Sequence, residues 1–203
     1  MPAPDLILAS TSTYRRELLA RLRLPFRVVS PEVDETPAAG ESPAALAKRL
    51  ALAKADAVAR RHPAAWVLGS DQVASADGRA AIGKPGSHAA AVAQLRAASG
   101  LELSFHTAVA LRNHETGFAA CETDETRVRF RELDDAMIER YLGLEPAYDC
   151  AGAARVEALG IALAERIDSR DPSALVGLPL VAVCSLLARA GLPVLGAAWG
   201  EAR

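Results

Sequence analysis

The sequence predicts an α/β fold in which helices pack on a sheet. Short apolar segments alternate with segments whose apolar residues recur every three to four positions, which is the signature of strands interleaved with helices. Charged and hydroxyl residues also collect where the predicted strands end, and open α/β sheets tend to gather their functional groups at that edge.

The elements follow in order. LILA at 6–9 is the first strand, and Tyr14, Leu18 and Leu22 then recur at helical spacing. Residues 26–30 return as a strand, followed by the polar loop PEVDETP. Ser42 and Pro43 pair a cap with a first-turn proline, and Leu46, Leu50, Ala53 and Ala57 give the helix they open an apolar face. AWVLGSDQVAS reads as the third strand, closed by a D-G turn. The Ala-rich segment from Ser87 to Ser99 is a helix stopped at Gly100. Between Leu101 and Phe130 two long strands flank a turn at Glu115 to Gly117, and RVRFR shows the period-two alternation of a half-buried strand. Helices over 134–143 and 173–190 complete the chain. No internal repeat, low-complexity tract or long linker divides it, so residues 1–203 are read as one domain.

Composition narrows the function classes. With 203 residues, 51% of them hydrophobic, the chain can bury a sizeable core. A net charge of −2 offers no bulk attraction for nucleic acid, and 4% aromatic residues do not supply the basic, aromatic-interleaved face of an RNA-binding protein. Cys121, Cys150 and Cys184 are odd in number and far apart, which fits neither a disulfide framework nor a CxxC metal site and suits a reducing cytoplasm. MPAPDLILAS lacks the basic start and long apolar run of a signal peptide. Leu175 to Val194 is interrupted by Gly177, Pro179, Arg189 and Gly191, so it reads as a buried helix and not a membrane span.

The stretch ILASTSTYRRELLARL puts Arg15 and Arg16 in the first turn of a helix, where a cation is disfavoured by roughly 0.3–1 kcal/mol. An anion reverses that penalty. Two guanidinium groups, the free first-turn N–H groups and the hydroxyls of Ser10 and Ser12 together make a cradle for a phosphate chain. Asp34 and Glu35 after the second strand, and Asp71 in the third, are oxygen donors suited to Mg²⁺ or Mn²⁺. Lys54 and Lys84 add point charges, although GKP lacks the Walker A spacing. Cations plus an acid-held metal are the ingredients of phosphoanhydride chemistry. Each group has an ordinary explanation too, as a solvated helix face, a polar loop or a turn, so local pattern alone leaves the function open.

Five separated segments, LILASTSTYRRELL, VDET, GSDQV, GKP and RDPSALVGLPL, resemble the Maf-like nucleotide pyrophosphatases in order and spacing over nearly the whole chain. The resemblance implies an elongated mixed sheet flanked by helices, with two lobes around a central cleft. It also implies hydrolysis of a nucleoside triphosphate to monophosphate and pyrophosphate with a divalent metal cofactor, Mg²⁺ or Mn²⁺. By matching position, Ser10, Arg15, Arg16, Lys54 and Lys84 take phosphate-binding roles, Glu35 is a metal-associated acid, and Asp71 is a metal ligand and the proton acceptor. Tyr14, Gln72 and Glu157 are similar to the branch acting on 7-methyl-GTP and differ from the branch acting on dTTP and UTP. An aromatic face and a carboxylate suit a methylated guanine that carries delocalised positive charge.

Thr13 stands where the family usually has Pro, and Ala153, Ala154 and Arg155 replace Ser, an aromatic and Lys. The alternatives are a dTTP/UTP or other modified-nucleotide pyrophosphatase, and a non-catalytic nucleotide-binding regulatory protein. Retention of both Glu35 and Asp71 speaks for catalysis. The expected partner is a nucleoside triphosphate, with no stable nucleic acid or membrane partner, and the resemblance suggests a homodimer.

Overall fold

The computed structural model describes residues 3–199. In chain order the elements are β1 (Leu6–Ala9), α1 (Thr13–Ala20), β2 (Arg27–Val29), α2 (Pro43–Arg61), β3 (Trp66–Ser75), α3 (His88–Ala98), β4 (Glu102–Asn113), β5 (Phe118–Phe130), α4 (Asp135–Leu144), β6 (Ala164–Asp168) and α5 (Leu180–Arg189). The strands form one mixed sheet in the order β2-β1-β3-β4-β5-β6. β1 runs parallel to β2 and β3, and the remaining neighbours are antiparallel. The predicted α/β class and mixed sheet are therefore present.

Capping side chains start the helices where the sequence places them. Ser12, Ser42, Ser87 and Asp134 accept from the amides of Arg15, Ala45, Ala90 and Met137. β4 and β5, at 12 and 13 residues, are long enough to run through two packed regions. In one region, Leu6, Leu8, Leu68 and Leu111 meet Leu18 of α1 with Val183 and Leu187 of α5. On the opposite sheet face, Leu50, Ala51 and Ala55 of α2 meet Val73 and Ala108. In the other region, Phe105, Val128 and Phe130 pack with Leu95 of α3 and with Ile138 and Leu142 of α4. The cleft lies between these lobes. Among the described residues no helix is long and apolar enough to cross a membrane, and all three cysteines are free.

Two sequence expectations are corrected, and one strand is added. The buried face of α2 is shifted: Leu46, Ala47, Leu50, Ala51, Lys54, Ala55, Val58 and Ala59 are buried, while Ala53 and Ala57 are only half-buried. Residues 173–190 are not one helix. Gly177 takes a left-handed φ of 110° and Pro179 cannot continue a helical ladder, so a 3-10 turn at Ala174–Val176 is separated from α5. The edge strand β6 was not anticipated. Its residues AERID are mostly exposed, and pairing with β5, Val128 opposite Ile167, is what makes it a strand.

Candidate active site

The cleft has a volume of about 650 Å³, within the usual range for small-molecule sites. Its chemistry begins with a close approach of α2 to β3. A Cβ added at Gly69 would lie 2.5 Å from both Ala51 O and Ala55 N, so only glycine lets the helix backbone settle on the strand. Side chains alternate along β3, and Asp71 therefore shares the α2 face with Gly69 and Val73. Lys54, between Ala51 and Ala55 in the buried stripe of α2, is carried straight to it.

Lys54 is 5% exposed. An ammonium buried that deeply is costly unless it is paired. Its Nζ stands 2.6 Å from Asp71 Oδ1 and 2.6 Å from Glu35 Oε1, so it bridges two carboxylates. Glu35 reaches in from the loop after β2 with its side chain partly in solvent. Burial works against its charge, but the hydrogen bond from Lys54 and the positive charges of Lys54, Lys84 and Arg15 prevail and hold it below the usual carboxylate range. Asp34, its neighbour, is turned outward and caps the amide of Thr36 at 2.9 Å, and it does not line the cleft.

Arg15 enters from the first turn of α1. Its Nε donates to Gly177 O at 2.8 Å, which fixes the guanidinium plane against the 174–177 turn. Burial lowers its pKa while the charges of Asp71 and Glu35 oppose that, placing all three in one electrostatic cluster. Arg16 is exposed and lies outside the cleft lining. Successive residues point about 100° apart around a helix, and α1 is turned so that Tyr14 and Arg15 face the cleft while Arg16 points past its edge. Ser10 is buried at the cleft wall, with its Oγ accepting from Ser12 N at 3.1 Å. Lys84 is exposed on the facing loop.

Tyr14, Gln72 and Glu157 also line the cleft, away from the Lys54 bridge in role and chemistry. The hydroxyl of Tyr14 donates to Asp149 Oδ2 at 3.5 Å, and the Arg155 guanidinium sits 5.4 Å from the centre of its ring. Gln72 lies on the β3 face opposite Asp71. Its Nε2 donates to Thr107 Oγ1, Ala174 O and Leu175 O, so the amide nitrogen anchors the 3-10 turn and only Oε1 is left to meet a ligand. Glu157 is exposed at the cleft wall, yet desolvation by the atoms around its carboxyl, and then the charges of Glu145 and Asp149 acting against Arg155, push its pKa up.

The family is identified by comparison. The model of the Maf-like protein family matches residues 5–190. The chain belongs to the Maf-like protein family. It is 58% identical over 192 residues to a 7-methyl-GTP pyrophosphatase of Albidiferax ferrireducens, covering 95% of this chain and 96% of the relative. Relatives bearing the same name from Cupriavidus metallidurans and Burkholderia pseudomallei are 54% and 56% identical, each covering 96% of this chain, and 97% and 91% of the relatives respectively. Among solved structures, the Ham1 protein of Staphylococcus aureus is similar with a TM-score of 0.46 and 14% identity, over 63% of this chain and 72% of that one.

In this Maf-like protein the segment RDPSALVGLPL has a structural role that its letters only hint at. Asp171 Oδ1 accepts from Ser173 N at 3.0 Å and its Oδ2 from Val181 N at 2.7 Å, so one carboxylate caps both the turn and α5. The Asp-x-Ser spacing is the readable signal for such a turn. Ser70 Oγ and Thr107 Oγ1 donate to Gly177 O and Ala174 O, and together with Gln72 and Arg15 they pin the turn from the sheet and from α1. GSDQV brings Gly69 and Ser70 into a family segment without assigning either a role, and nothing in the sequence marks Thr107, because each acts through a tertiary neighbour.

The metal expected from the sequence can be tested against the donors present. Among the described residues no three His, Cys, Asp or Glu side chains converge to hold an ion by themselves. Mg²⁺ and Mn²⁺ at phosphate sites ordinarily take one or two carboxylates and complete their shell with water and phosphate oxygens. Glu35 and Asp71, brought together across Lys54, supply that pair. The donor set fits.

Proposed function

We propose that this protein is a nucleoside triphosphate pyrophosphatase that cleaves the α–β phosphoanhydride, releasing nucleoside monophosphate and pyrophosphate, with 7-methyl-GTP as the preferred substrate. The observation that carries this is one cleft lined by two kinds of side chain. Arg15, Lys54 and Lys84 accompany the acids Asp71 and Glu35, and Tyr14, Gln72 and Glu157 line the same cavity. The names of the relatives support the same substrate.

Each residue has a task in this reading. Arg15 and Lys84, with Ser10, hold the phosphate chain and offset its charge. Asp71 Oδ1 is engaged by Lys54, which leaves Oδ2 free to orient the attacking water and take its proton. Lys54 holds Asp71 in position through its 2.6 Å contact with Oδ1, and the cations stabilise the charge that grows on the departing pyrophosphate. A divalent metal, held by Glu35 and Asp71, supplies further charge neutralisation on the phosphate oxygens when bound. The ring of Tyr14 stacks on the base, and Glu157 accepts from the N1–H and amino group of guanine while balancing the charge of the methylated ring.

A panel of 7-methyl-GTP, GTP, dTTP and UTP, incubated with the protein and Mg²⁺ or Mn²⁺ and assayed for pyrophosphate and monophosphate, tests this. The highest kcat/KM is expected for 7-methyl-GTP. Higher activity on dTTP or UTP would move the protein to the other branch, and binding without pyrophosphate release would make it a nucleotide-binding protein.

A further inference from the structure

The rim of the cleft carries a charged triangle that the sequence reading did not contain. Tyr14 belongs to α1 in one lobe, whereas Asp149 and Arg155 belong to the segment between α4 and β6 in the other. Asp149 accepts from the Tyr14 hydroxyl with Oδ2 and from Arg155 Nη2, at 2.9 Å, with Oδ1. The second Nη of Arg155 is held 3.1 Å from Glu145 Oε1. Both arms of the guanidinium are thus committed, and the cation rests over the ring of Tyr14.

That commitment leaves the wall short of positive charge. Glu145, Asp149 and Glu157 bring three carboxylates, and Arg155 is the cation set among them. Glu157 has no ion-pair partner among the described residues, and the neighbouring charges of Glu145 and Asp149 make its own ionisation harder. Asp149 and Glu157 both line the cleft, so their charges act on the same space beside the Tyr14 ring. A neutral base entering there gains nothing from the excess, whereas a cationic base relieves it. Arg155 contributes the converse effect: a cation already on the Tyr14 ring opposes a second one unless Asp149 and Glu145 neutralise it.

We infer that Asp149 is a further specificity-determining residue, which selects a positively charged purine over its neutral counterpart by neutralising Arg155 and adding its charge to that of Glu157. This rests on the base-binding reading of Tyr14 and Glu157 given above. Asp149 is partly exposed and the described structure gives it no role in the core, so Asp149→Asn is expected to fold with an unchanged melting temperature. The ratio of affinities for 7-methyl-GMP and GMP, and the ratio of kcat/KM for 7-methyl-GTP and GTP, should both fall about fivefold, the scale of one solvent-screened charge. Asp149→Glu, which keeps the charge, should restore most of the preference.

Titration calorimetry with the two monophosphates reads the ratio without requiring turnover. An unchanged ratio in Asp149→Asn, or equal weakening of both nucleotides, overturns the inference. If the wild-type protein hydrolyses neither triphosphate, the pyrophosphatase reading fails while the monophosphate ratio still decides the role of Asp149. Binding of neither monophosphate overturns both.

Discussion

Replacing Gly69 by Ala tests whether a glycine without any contact to substrate seats the catalytic pair. The added methyl would lie 2.5 Å from Ala51 O and Ala55 N, whereas an ordinary contact begins at 3.4 Å, so α2 must retreat by roughly 0.9 Å. Both atoms are backbone, which cannot swing aside as a side chain can. Overpacking of this kind costs about 1–3 kcal/mol, or roughly 2–12 °C in Tm for a chain of this size. The same movement carries Lys54, which lies between Ala51 and Ala55, away from Asp71 and Glu35. A misplacement near 1 Å in catalytic machinery can cost about a hundredfold, but the flexible lysine stem recovers part of the contact, so a fall in kcat of about tenfold is expected. Urea denaturation with initial rates of pyrophosphate release measures both effects. Unchanged stability would refute the packing, and lost stability with full turnover would refute the link between α2 placement and catalysis.

Asp71→Asn should retain nucleotide binding, because Lys54 keeps Glu35 as a partner, yet lose at least about a hundredfold in kcat, since an amide cannot take the proton of water; turnover close to wild type would remove Asp71 from the mechanism. Arg15→Ala should raise KM for the triphosphate and weaken inhibition by pyrophosphate, whereas Arg16→Ala, exposed and outside the cleft lining, should leave both within about twofold; equal effects of the two substitutions in steady-state kinetics would contradict the placement of α1. Glu157 has a raised folded-state pKa, so its ionisation weakens the fold as pH rises from the usual glutamate range through that higher value. Glu157→Gln should therefore melt higher than wild type at neutral pH, with the gap closing at acid pH where the wild-type carboxyl is protonated; a gap that widened on acidification would show the opposite linkage.

Local chemistry made much of this protein readable in its letters. Ser-capped helix starts, apolar strand runs and the glycine at 100 act on near neighbours in the chain, so helices and strands from β1 to α4 stand close to where the residues place them. The acids and cations of the site were visible as candidates, Glu35, Asp71 and Lys84 at strand ends and loops and Arg15 in the first turn of α1, but their roles came from the family resemblance and not from local pattern. What the letters left undecided depends on partners distant in the chain. Helical rotation separates Arg15 from Arg16, and only the direction in which α1 packs decides that Arg15 faces the cleft. Lys54 is read from the sequence as a phosphate-binding charge, and only the seating of α2 on Gly69 buries the ammonium between two carboxylates. β6 has no apolar pattern of its own and becomes a strand because β5 offers unpaired backbone groups. The break at Gly177 and the triangle of Tyr14, Asp149 and Arg155 are likewise products of packing, since hydrogen bonds and charge pairs depend on distance in space, and sequence separation carries no record of that distance.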